Sequence, residues 1–273
     1  MNRANARYHG TCRSGIAAAA AFLAAASLAI GVPAARGQER VVAVGAASDV
    51  QPAFDDLAAG FGVAHPGITL RPSFGSSGTL YAQIESRAPF DVFLSADVDY
   101  ARRVRERGQA LDPEFVYAQG HVALWVSQSL ALDLEAEGLG VLRDTRIRRL
   151  AIANPRHAPY GRAAETALRS GGVYDDVKSK LVLGDNVAQA AHFARSGAAD
   201  AALVSLSLAR SPAMQEKGAS VEVRLDVSSR FDQAGVILSW AQDPGAARAF
   251  RDFLCGPQGR AILAQHGLGL VEP

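Results

Sequence analysis

The chain has 273 residues, of which 49% are hydrophobic, and 28 Lys and Arg stand against 27 Asp and Glu. Residues 1–37 contain four Arg and no acidic residue, so the remainder has 24 basic and 27 acidic residues and a net charge of about −3. This mild negative charge argues against nucleic acid or an anionic membrane as a partner, because both require clustered positive charge.

The first predicted element is a secretory signal peptide at residues 1–37. Three Arg residues precede an Ala-rich apolar stretch at residues 16–32, and small residues follow it. Cleavage is expected near residues 34–38, which predicts an exported protein of the periplasm. It would remove Cys12 and leave Cys255 alone, which excludes an internal disulfide. The alternative, a retained membrane anchor, is less favoured because the stretch is Ala-rich and slightly short for a bilayer.

After this leader, apolar runs of strand type alternate with helical patterns. Strands are predicted at residues 41–44, 68–74, 90–95, 121–126, 149–154, 180–183, 201–205, 221–225 and 235–240. Helical patterns begin near residues 50 and 80, and a polar helix follows the strand at residues 90–95 and runs through residue 107. Further helices are predicted at residues 161–169, 246–254 and 258–266. Such alternation predicts βαβ units with parallel strands and helices on both faces of a sheet. The pattern restarts near residue 125, so we expect two α/β lobes.

Two turns that contain Ser stand where a predicted strand gives way to a helix. Residues 45–49 read Gly-Ala-Ala-Ser-Asp, and residues 74–79 read Phe-Gly-Ser-Ser-Gly-Thr. A Ser in this position can cap the helix, and the free backbone N–H groups beside it can bind an anion. For either Ser alone, an ordinary helix cap is the simpler interpretation. Two such turns without Lys or Arg predict a pocket that holds an oxyanion with neutral donors.

Several segments, in order, resemble the periplasmic molybdate-binding proteins of ABC importers. They are the Ala-Ala-Ser turn at 46–48, residues 74–80 with Gln-Ile-Glu at 83–85, residues 88–97, residues 150–161 and residues 253–258. The resemblance implies an α/β, two-lobed periplasmic binding protein of type II (Venus-flytrap), with two parallel-type sheets flanked by helices and a ligand cleft between the lobes.

The resemblance also implies how the chain is divided between the lobes. Lobe 1 is expected to comprise residues 38–123 and, after a return, residues 232–273, whereas lobe 2 comprises residues 124–231. The two crossings are expected near residues 121–126 and 231–238.

In the family that this chain resembles, the oxyanion is bound by Ser hydroxyls and by N–H groups at helix starts. Carried over by motif, the ligand residues are Ser48 and Ser77 in lobe 1, with Tyr160 and Val187 in lobe 2. Tyr160 and Val187 would act through their backbone N–H groups, and the Tyr160 side chain would only pack. Ser205 stands where several members have a donating Tyr. Either Ser205 donates a shorter-range hydrogen bond, or a water or another donor replaces it.

The ligand implied is molybdate or tungstate, held as an oxyanion by these residues rather than as a bare metal ion, with no cofactor. Both are dianions that need donors and no acceptor. Phosphate still has a proton at neutral pH and needs an acceptor, for which Asp49 is the one candidate. We expect Asp49 instead in the first turn of a helix, facing solvent. Sulfate differs from molybdate only in size, so a sulfate or phosphate receptor is the alternative.

Two other classes of function fit the sequence less well. An exported hydrolase is disfavoured because the five His residues after the leader are scattered, no G-x-S-x-G elbow occurs, and no metal motif is present. The effector domain of a regulator is disfavoured because no DNA-reading segment accompanies the signal peptide. The sequence thus predicts a binding protein, not an enzyme, that acts as a monomer and docks on an inner-membrane ABC permease.

Overall fold

The structure is a computed structural model that describes residues 40–223 and 231–269. The predicted signal peptide at residues 1–37 and the last two residues of the predicted strand at 221–225 lie outside the described residues. Within the described ranges, no helix combines the length and apolar character needed to cross a bilayer.

Ten strands and eleven α-helices make up the described chain. The strands are β1 (Arg40–Ala47), β2 (Ile68–Gly75), β3 (Val92–Ser95), β4 (Phe115–Gly120), β5 (Val122–Ser127), β6 (Leu150–Ala153), β7 (Leu181–Gly184), β8 (Ala201–Ser205), β9 (Gly218–Val223) and β10 (Phe231–Ile237). The helices are α1 (Gln51–Ala64), α2 (Ser77–Glu85), α3 (Val98–Glu106), α4 (Leu134–Glu137), α5 (Pro159–Ser170), α6 (Tyr174–Val177), α7 (Val187–Arg195), α8 (Leu206–Ala209), α9 (Pro212–Gln215), α10 (Pro244–Cys255) and α11 (Pro257–Gln265).

The strands form two five-stranded sheets, which define lobe 1 and lobe 2. The strand orders are β2-β1-β3-β10-β4 in lobe 1 and β7-β6-β8-β5-β9 in lobe 2. The first three strands of each sheet are parallel, and the last two form an antiparallel pair. The predicted α/β fold with two lobes is therefore confirmed. The antiparallel pairs arise because these strands carry the chain between the lobes.

The chain passes from lobe 1 to lobe 2 at His121, which alone separates β4 from β5. The predicted crossing at residues 121–126 is thus largely β5, a strand of lobe 2, and the predicted boundary at residues 123/124 falls inside it. Strand β4, with the sequence Phe-Val-Tyr-Ala-Gln-Gly, was not predicted. Strand β9, which ends at Val223, belongs to lobe 2, and β10, which begins at Phe231, belongs to lobe 1, so residue 231 is part of lobe 1.

Each lobe has its own hydrophobic core. In lobe 1, α1 packs with α10 through Phe61, whose ring lies 5.5 Å from that of Phe250 and 5.6 Å from that of Phe253, edge to face. Edge-to-face pairs of this kind contribute beyond their buried area. In lobe 2 the largest buried side chain is Trp125 of β5, whose Nε1 donates to the Met214 carbonyl at 3.0 Å. Burying the indole with its N–H satisfied avoids the cost of an unpaired donor.

Four helices begin where parallel strands end. The last residues of β1 and β2, Ala47 and Gly75, are paired in register, and so are Ala153 of β6 and Gly184 of β7. Helices α1 and α2 follow in lobe 1, and α5 and α7 follow in lobe 2. In open α/β sheets, ligands bind outside the carboxyl ends of the strands. The fold therefore brings four helix N-termini, two from each lobe, to a common edge.

Candidate functional site

A small cavity lies between the lobes at these helix starts. Its volume, as space open to the centre of a water-sized sphere, is about 10 Å³, close to the room that one water molecule needs and far too small for an extended ligand. The lining residues are Ala47, Ser48, Asp49, Gly75, Ser76, Ser77, Ala96, Ala158, Pro159, Tyr160 and Val187. Four of the five residues predicted as ligands are in this set, and the fifth, Ser205, is not.

The Ser77 hydroxyl is held in place without serving as a helix cap. Ser76 caps α2, since its Oγ accepts the N–H of Thr79 at 3.2 Å. Ser77 is the first residue of α2, is fully buried, and its Oγ accepts the N–H of Ala96 at 2.9 Å. A hydroxyl that accepts one hydrogen bond still has its own proton to donate. Ser77 can therefore donate into the cavity from a fixed position.

Ser48 does not cap its helix either. Helix α1 begins at Gln51, and no side chain caps it. The backbone N–H of Ser48 donates to the Gly75 carbonyl at 3.0 Å, which ties the end of β1 to that of β2. Its Oγ accepts the N–H of Ala188 of α7 at 3.4 Å, across the cleft. The simpler interpretation of each Ser as an ordinary cap therefore does not hold, and both hydroxyls keep a proton for a ligand.

Tyr160 offers a free backbone N–H because its helix begins without a cap. Ala158 precedes α5 and has no side chain that could accept, and Pro159 has no N–H to satisfy. In the described part of the chain, no group accepts the Tyr160 N–H. Gly161 allows this close start, since a Cβ there would lie 2.3 Å from the Ala153 carbonyl oxygen. The end of β6 thus fixes the direction of the Tyr160 N–H.

Val187 offers the second free N–H of lobe 2. Asn186 caps α7 by accepting the N–H of Gln189 at 3.0 Å, and the Gln189 side chain accepts the N–H of Asp185 at 2.6 Å. This reciprocal cap satisfies two backbone donors but leaves the N–H of Val187 without an acceptor among the described residues. The partial positive charge of a helix N-terminus favours an anion at this point.

Ser205 lies behind the cavity rather than on it. It is the N-cap of α8, with its Oγ accepting the N–H of Leu208 at 3.3 Å, and it forms a hydrogen bond of 2.9 Å with the Ser207 hydroxyl. Ser207 in turn donates to the backbone carbonyl of Asp49 at 2.6 Å, from lobe 2 to lobe 1. Strand β8 ends at Ser205 and a helix starts immediately, so the hydroxyl is used as a cap.

The expectation that Asp49 faces solvent is wrong. Asp49 is fully buried and lines the cavity. Its Oδ2 accepts the side-chain N–H of Gln233 at 2.6 Å, and Gln233 also donates to the Tyr160 hydroxyl at 3.2 Å. Among the described residues, the Oδ1 of Asp49 and the Oε1 of Gln233 are buried without a hydrogen-bond partner. The prediction failed because Asp49 lies in the turn before α1, which begins at Gln51, and not in the first turn of the helix.

Burial makes this carboxyl group a weak acid. It raises the pKa of Asp49 from 3.8 to about 6, although Gln233 and the Tyr160 hydroxyl act in the opposite direction. Burial, and after it the charge of Asp49, also raises the pKa values of Tyr117 and Tyr160 well above 10. The sequence analysis missed Gln233, because the predicted strand began at residue 235, whereas β10 begins at Phe231 and includes Gln233.

Direct contacts between the lobes hold the cleft closed at its rim. The backbone N–H of Gly78 donates to the His157 carbonyl at 2.9 Å, and the Ser76 hydroxyl lies 3.0 Å from the His157 Nδ1. Arg162 of lobe 2 forms an ion pair with Asp97 of lobe 1. The approach at Gly78 requires glycine, because a Cβ there would lie 2.6 Å from the His157 carbonyl oxygen.

The donors of the cavity are electrically neutral. No Lys, Arg or His is among its lining residues. In residues 40–223 and 231–269, no group of three His, Cys, Asp or Glu side chains is placed to hold a metal ion. The chemistry available is hydrogen-bond donation by two hydroxyls and by helix N-termini, beside one buried carboxyl group.

The chain is similar to known proteins over nearly all of the region that the structure describes. The sequence profile of the bacterial extracellular solute-binding proteins matches residues 42–269. The molybdate-binding protein ModA of Rhodobacter capsulatus is 35% identical over 88% of this chain and 91% of that protein. ModA of Azotobacter vinelandii is 34% identical over 89% and 96%. The solved structure of a periplasmic molybdate-binding protein from Azotobacter vinelandii superposes with a TM-score of 0.75 at 30% identity, covering 85% of this chain and 100% of that one.

Proposed function

The chain belongs to the bacterial extracellular solute-binding proteins and groups with their molybdate-binding members, and we propose that it captures molybdate or tungstate for delivery to an inner-membrane ABC permease. In this proposal the protein is exported to the periplasm and acts there as a monomer. It needs no cofactor, since the molybdenum is cargo and is held only as an oxyanion. The protein binds and releases its ligand and is not an enzyme.

One observation supports this function above the others. Two hydroxyls from lobe 1 and two backbone N–H groups from lobe 2, which have no acceptor among the described residues, meet at one cavity. A fully deprotonated dianion can be bound by donors alone. Each hydrogen bond to a charged group contributes about 1.5–3 kcal/mol. Four of them supply roughly 6–12 kcal/mol before the costs of desolvation and closure, which is compatible with a dissociation constant near or below the micromolar range.

Capture follows from the distribution of the donors. Neither lobe surrounds the anion, because Ser48 and Ser77 belong to one sheet and Tyr160 and Val187 to the other. An anion bound to one lobe therefore favours closure by recruiting the N–H groups of the other. The rim contacts at His157 and Arg162 complete the closed state, and opening at a permease would release the anion.

A receptor for phosphate is the second candidate, and Asp49 is the observation that favours it. Phosphate near neutral pH has a proton to donate, and the buried Asp49 carboxylate can accept it. Sulfate, which has no such proton, competes with molybdate on size alone. The two candidate ligands differ in the protonation state that they require of Asp49: phosphate needs an ionised carboxylate, whereas molybdate needs no acceptor.

Calorimetric titration of the purified protein with molybdate, tungstate, sulfate and phosphate tests the proposal. We expect molybdate and tungstate to bind at micromolar concentration or below, and sulfate and phosphate at least about tenfold more weakly. The matched variants are Ser77→Ala, in the cavity, and Ser73→Ala, on the exposed side of β2. Only the first should weaken binding. A preference for sulfate or phosphate would contradict the proposal, as would ester or phosphoester hydrolysis that Ser77→Ala abolishes.

A further inference from the structure

We propose, on the basis of the proposed function, that entry of the dianion is coupled to the uptake of one proton by Asp49, which makes this residue a determinant of anion selectivity. The proton comes from solvent and converts the carboxylate to a neutral carboxyl group. The bound anion keeps its charge of −2. The ligand brings a charge of −2 and the proton a charge of +1, so the complex is more negative than the free protein by one unit.

The geometry places the carboxyl group beside the ligand without a counter-charge. Asp49 lines the same cavity as Ser48 and Ser77 and is fully buried. Gln233 donates to the Asp49 Oδ2, whereas the Asp49 Oδ1 has no hydrogen-bond partner in residues 40–223 and 231–269. A buried carboxylate that lies near a dianion in a site of low dielectric experiences strong repulsion. A neutral carboxyl group removes this repulsion and adds an O–H donor.

The groups around Asp49 form hydrogen bonds with it but bring no positive charge. Tyr160 faces it from α5, Gln233 from β10 and Tyr117 from β4, and Ser207 of α8 donates to its backbone carbonyl. Both Tyr side chains stay neutral at physiological pH, since their pKa values lie well above 10. None of these neighbours is basic, and neither is any lining residue of the cavity. Protonation of Asp49 is therefore the available way to lower the negative charge of the site.

The direction of the effect follows from linkage. Burial already raises the pKa of Asp49 to about 6 in the absence of a ligand. A nearby dianion raises this pKa further, because like charges disfavour the ionised form. Between pH 6 and the pKa in the complex, free protein is ionised and bound protein is protonated. Affinity for the dianion should therefore fall about tenfold for each unit of rising pH in this window.

The same residue explains how the site could discriminate between anions. A protonated Asp49 offers a donor, which suits molybdate, tungstate or sulfate. An ionised Asp49 offers only acceptors, which suits a phosphate that still has its proton. The protonation state in the complex therefore distinguishes the two candidate ligand classes.

Calorimetry on the wild-type protein tests the inference without any substitution. Molybdate is titrated at pH 7 and pH 8, each in two buffers with different ionisation enthalpies, and the slope of the observed enthalpy counts the protons taken up. We expect close to one proton per molybdate and about tenfold weaker binding at pH 8 than at pH 7. Tight binding with unchanged affinity and no proton uptake would overturn the inference but leave the proposed function intact. Absence of molybdate binding at both pH values would overturn both.

Two variants locate the proton. Asp49→Asn should bind molybdate with equal affinity at pH 7 and pH 8 and take up no proton. Asp55→Asn, on the exposed face of α1, should behave as wild type. Proton uptake that persists in a folded Asp49→Asn variant would assign the proton to another group and contradict the inference. If that variant does not fold, the number of protons that the wild-type protein takes up still tests the inference.

Discussion

The two lobes have the same strand order but supply different kinds of donor. In each sheet the first two strands of the order, β2 and β1 in lobe 1 and β7 and β6 in lobe 2, lead into helices that begin at the cleft. Lobe 1 places hydroxyl groups there, at Ser48 and Ser77. Lobe 2 places helix starts whose N–H groups remain free, at Tyr160 and Val187. One sheet topology therefore supports two ways of holding an anion.

The donors of lobe 1 therefore depend on residue type, whereas the donors of lobe 2 depend on backbone conformation. A hydroxyl of lobe 1 is lost by a single truncation to Ala. An N–H of lobe 2 survives any substitution other than Pro that leaves the helix start in place. Asp49, the one acidic residue among the described residues that line the cavity, is also in lobe 1. Substitutions in lobe 1 should therefore change binding, and side-chain truncations in lobe 2 should change mainly stability.

The largest effect is expected where the lobes touch. Gly78→Ala introduces a Cβ that would lie 2.6 Å from the His157 carbonyl oxygen and 2.8 Å from the Tyr100 hydroxyl. The lobes would then not close fully, and the N–H groups of lobe 2 would be lost to the ligand. Affinity for molybdate should fall by at least about 100-fold, the equivalent of two or more hydrogen bonds to a charged group. Gly140→Ala, in open space, is the control. Equal affinity in the two variants, measured by calorimetry, would refute the closure described above.

The buried carboxyl group should give the next largest effect, on stability. The pKa of Asp49 is raised from 3.8 to about 6, so the folded protein holds this proton more tightly than the unfolded chain. The free energy of unfolding therefore falls as the pH rises from about 4 to about 6, and it stays at the lower value above pH 6. Asp49→Asn removes this loss and should raise the free energy of unfolding by up to about 3 kcal/mol above pH 6, with no gain below pH 4.

Urea unfolding without ligand at pH 4 and pH 7.5 measures this difference. Asp55→Asn is the matched control, since it removes an exposed acid from the same lobe. A gain of equal size at both pH values would show that ionisation of Asp49 is not its cause.

Truncation of the hydroxyls should weaken binding by an intermediate amount. Ser48→Ala and Ser77→Ala each remove one donor to a charged ligand, which corresponds to about 10- to 100-fold in the dissociation constant. The loss should appear with unchanged stoichiometry in calorimetry, and Ser73→Ala should have no effect. Unchanged affinity in Ser77→Ala would exclude its hydroxyl as a ligand donor.

The smallest effect on binding is expected for the side chain of Val187. Val187→Ala keeps the N–H at the start of α7, so affinity should stay within about threefold of wild type. The free energy of unfolding should fall by about 1–3 kcal/mol, because the side chain is buried. A tenfold loss of affinity at normal stability would contradict the division between hydroxyl donors in lobe 1 and backbone donors in lobe 2.

Much of the fold could be predicted because its signals are local. Apolar runs such as the one in β1 and the spacing of Phe54, Leu57 and Phe61 in α1 specify elements from neighbouring residues alone. The two Ser turns stood out as motifs at strand-to-helix junctions, whereas the ligand set of Ser48, Ser77, Tyr160 and Val187 came from the resemblance to molybdate-binding proteins; the structure places all four around one cavity. Strand β4 escaped because its partner β10 lies more than 100 residues away, and only pairing with it makes β4 a strand.

The environment of single side chains was harder to predict. Asp49 was expected in solvent, but its burial depends on where α1 begins and on Gln233 from the far end of the chain. Ser205 was considered as a ligand, whereas the start of α8 directly after β8 uses its hydroxyl as a cap. In both cases the deciding contact is tertiary or depends on the boundary of a helix, which short-range patterns do not fix.

The central claim is that donors of both lobes hold one oxyanion. A crystal structure of the protein grown with molybdate, phased or checked with the anomalous signal of molybdenum, tests it most directly. The account predicts one molybdenum peak between the lobes, with its oxygens within hydrogen-bond distance of the Ser48 and Ser77 hydroxyls and of the Tyr160 and Val187 N–H groups. A peak that contacts only one lobe, or one that lies outside this cavity, would contradict it.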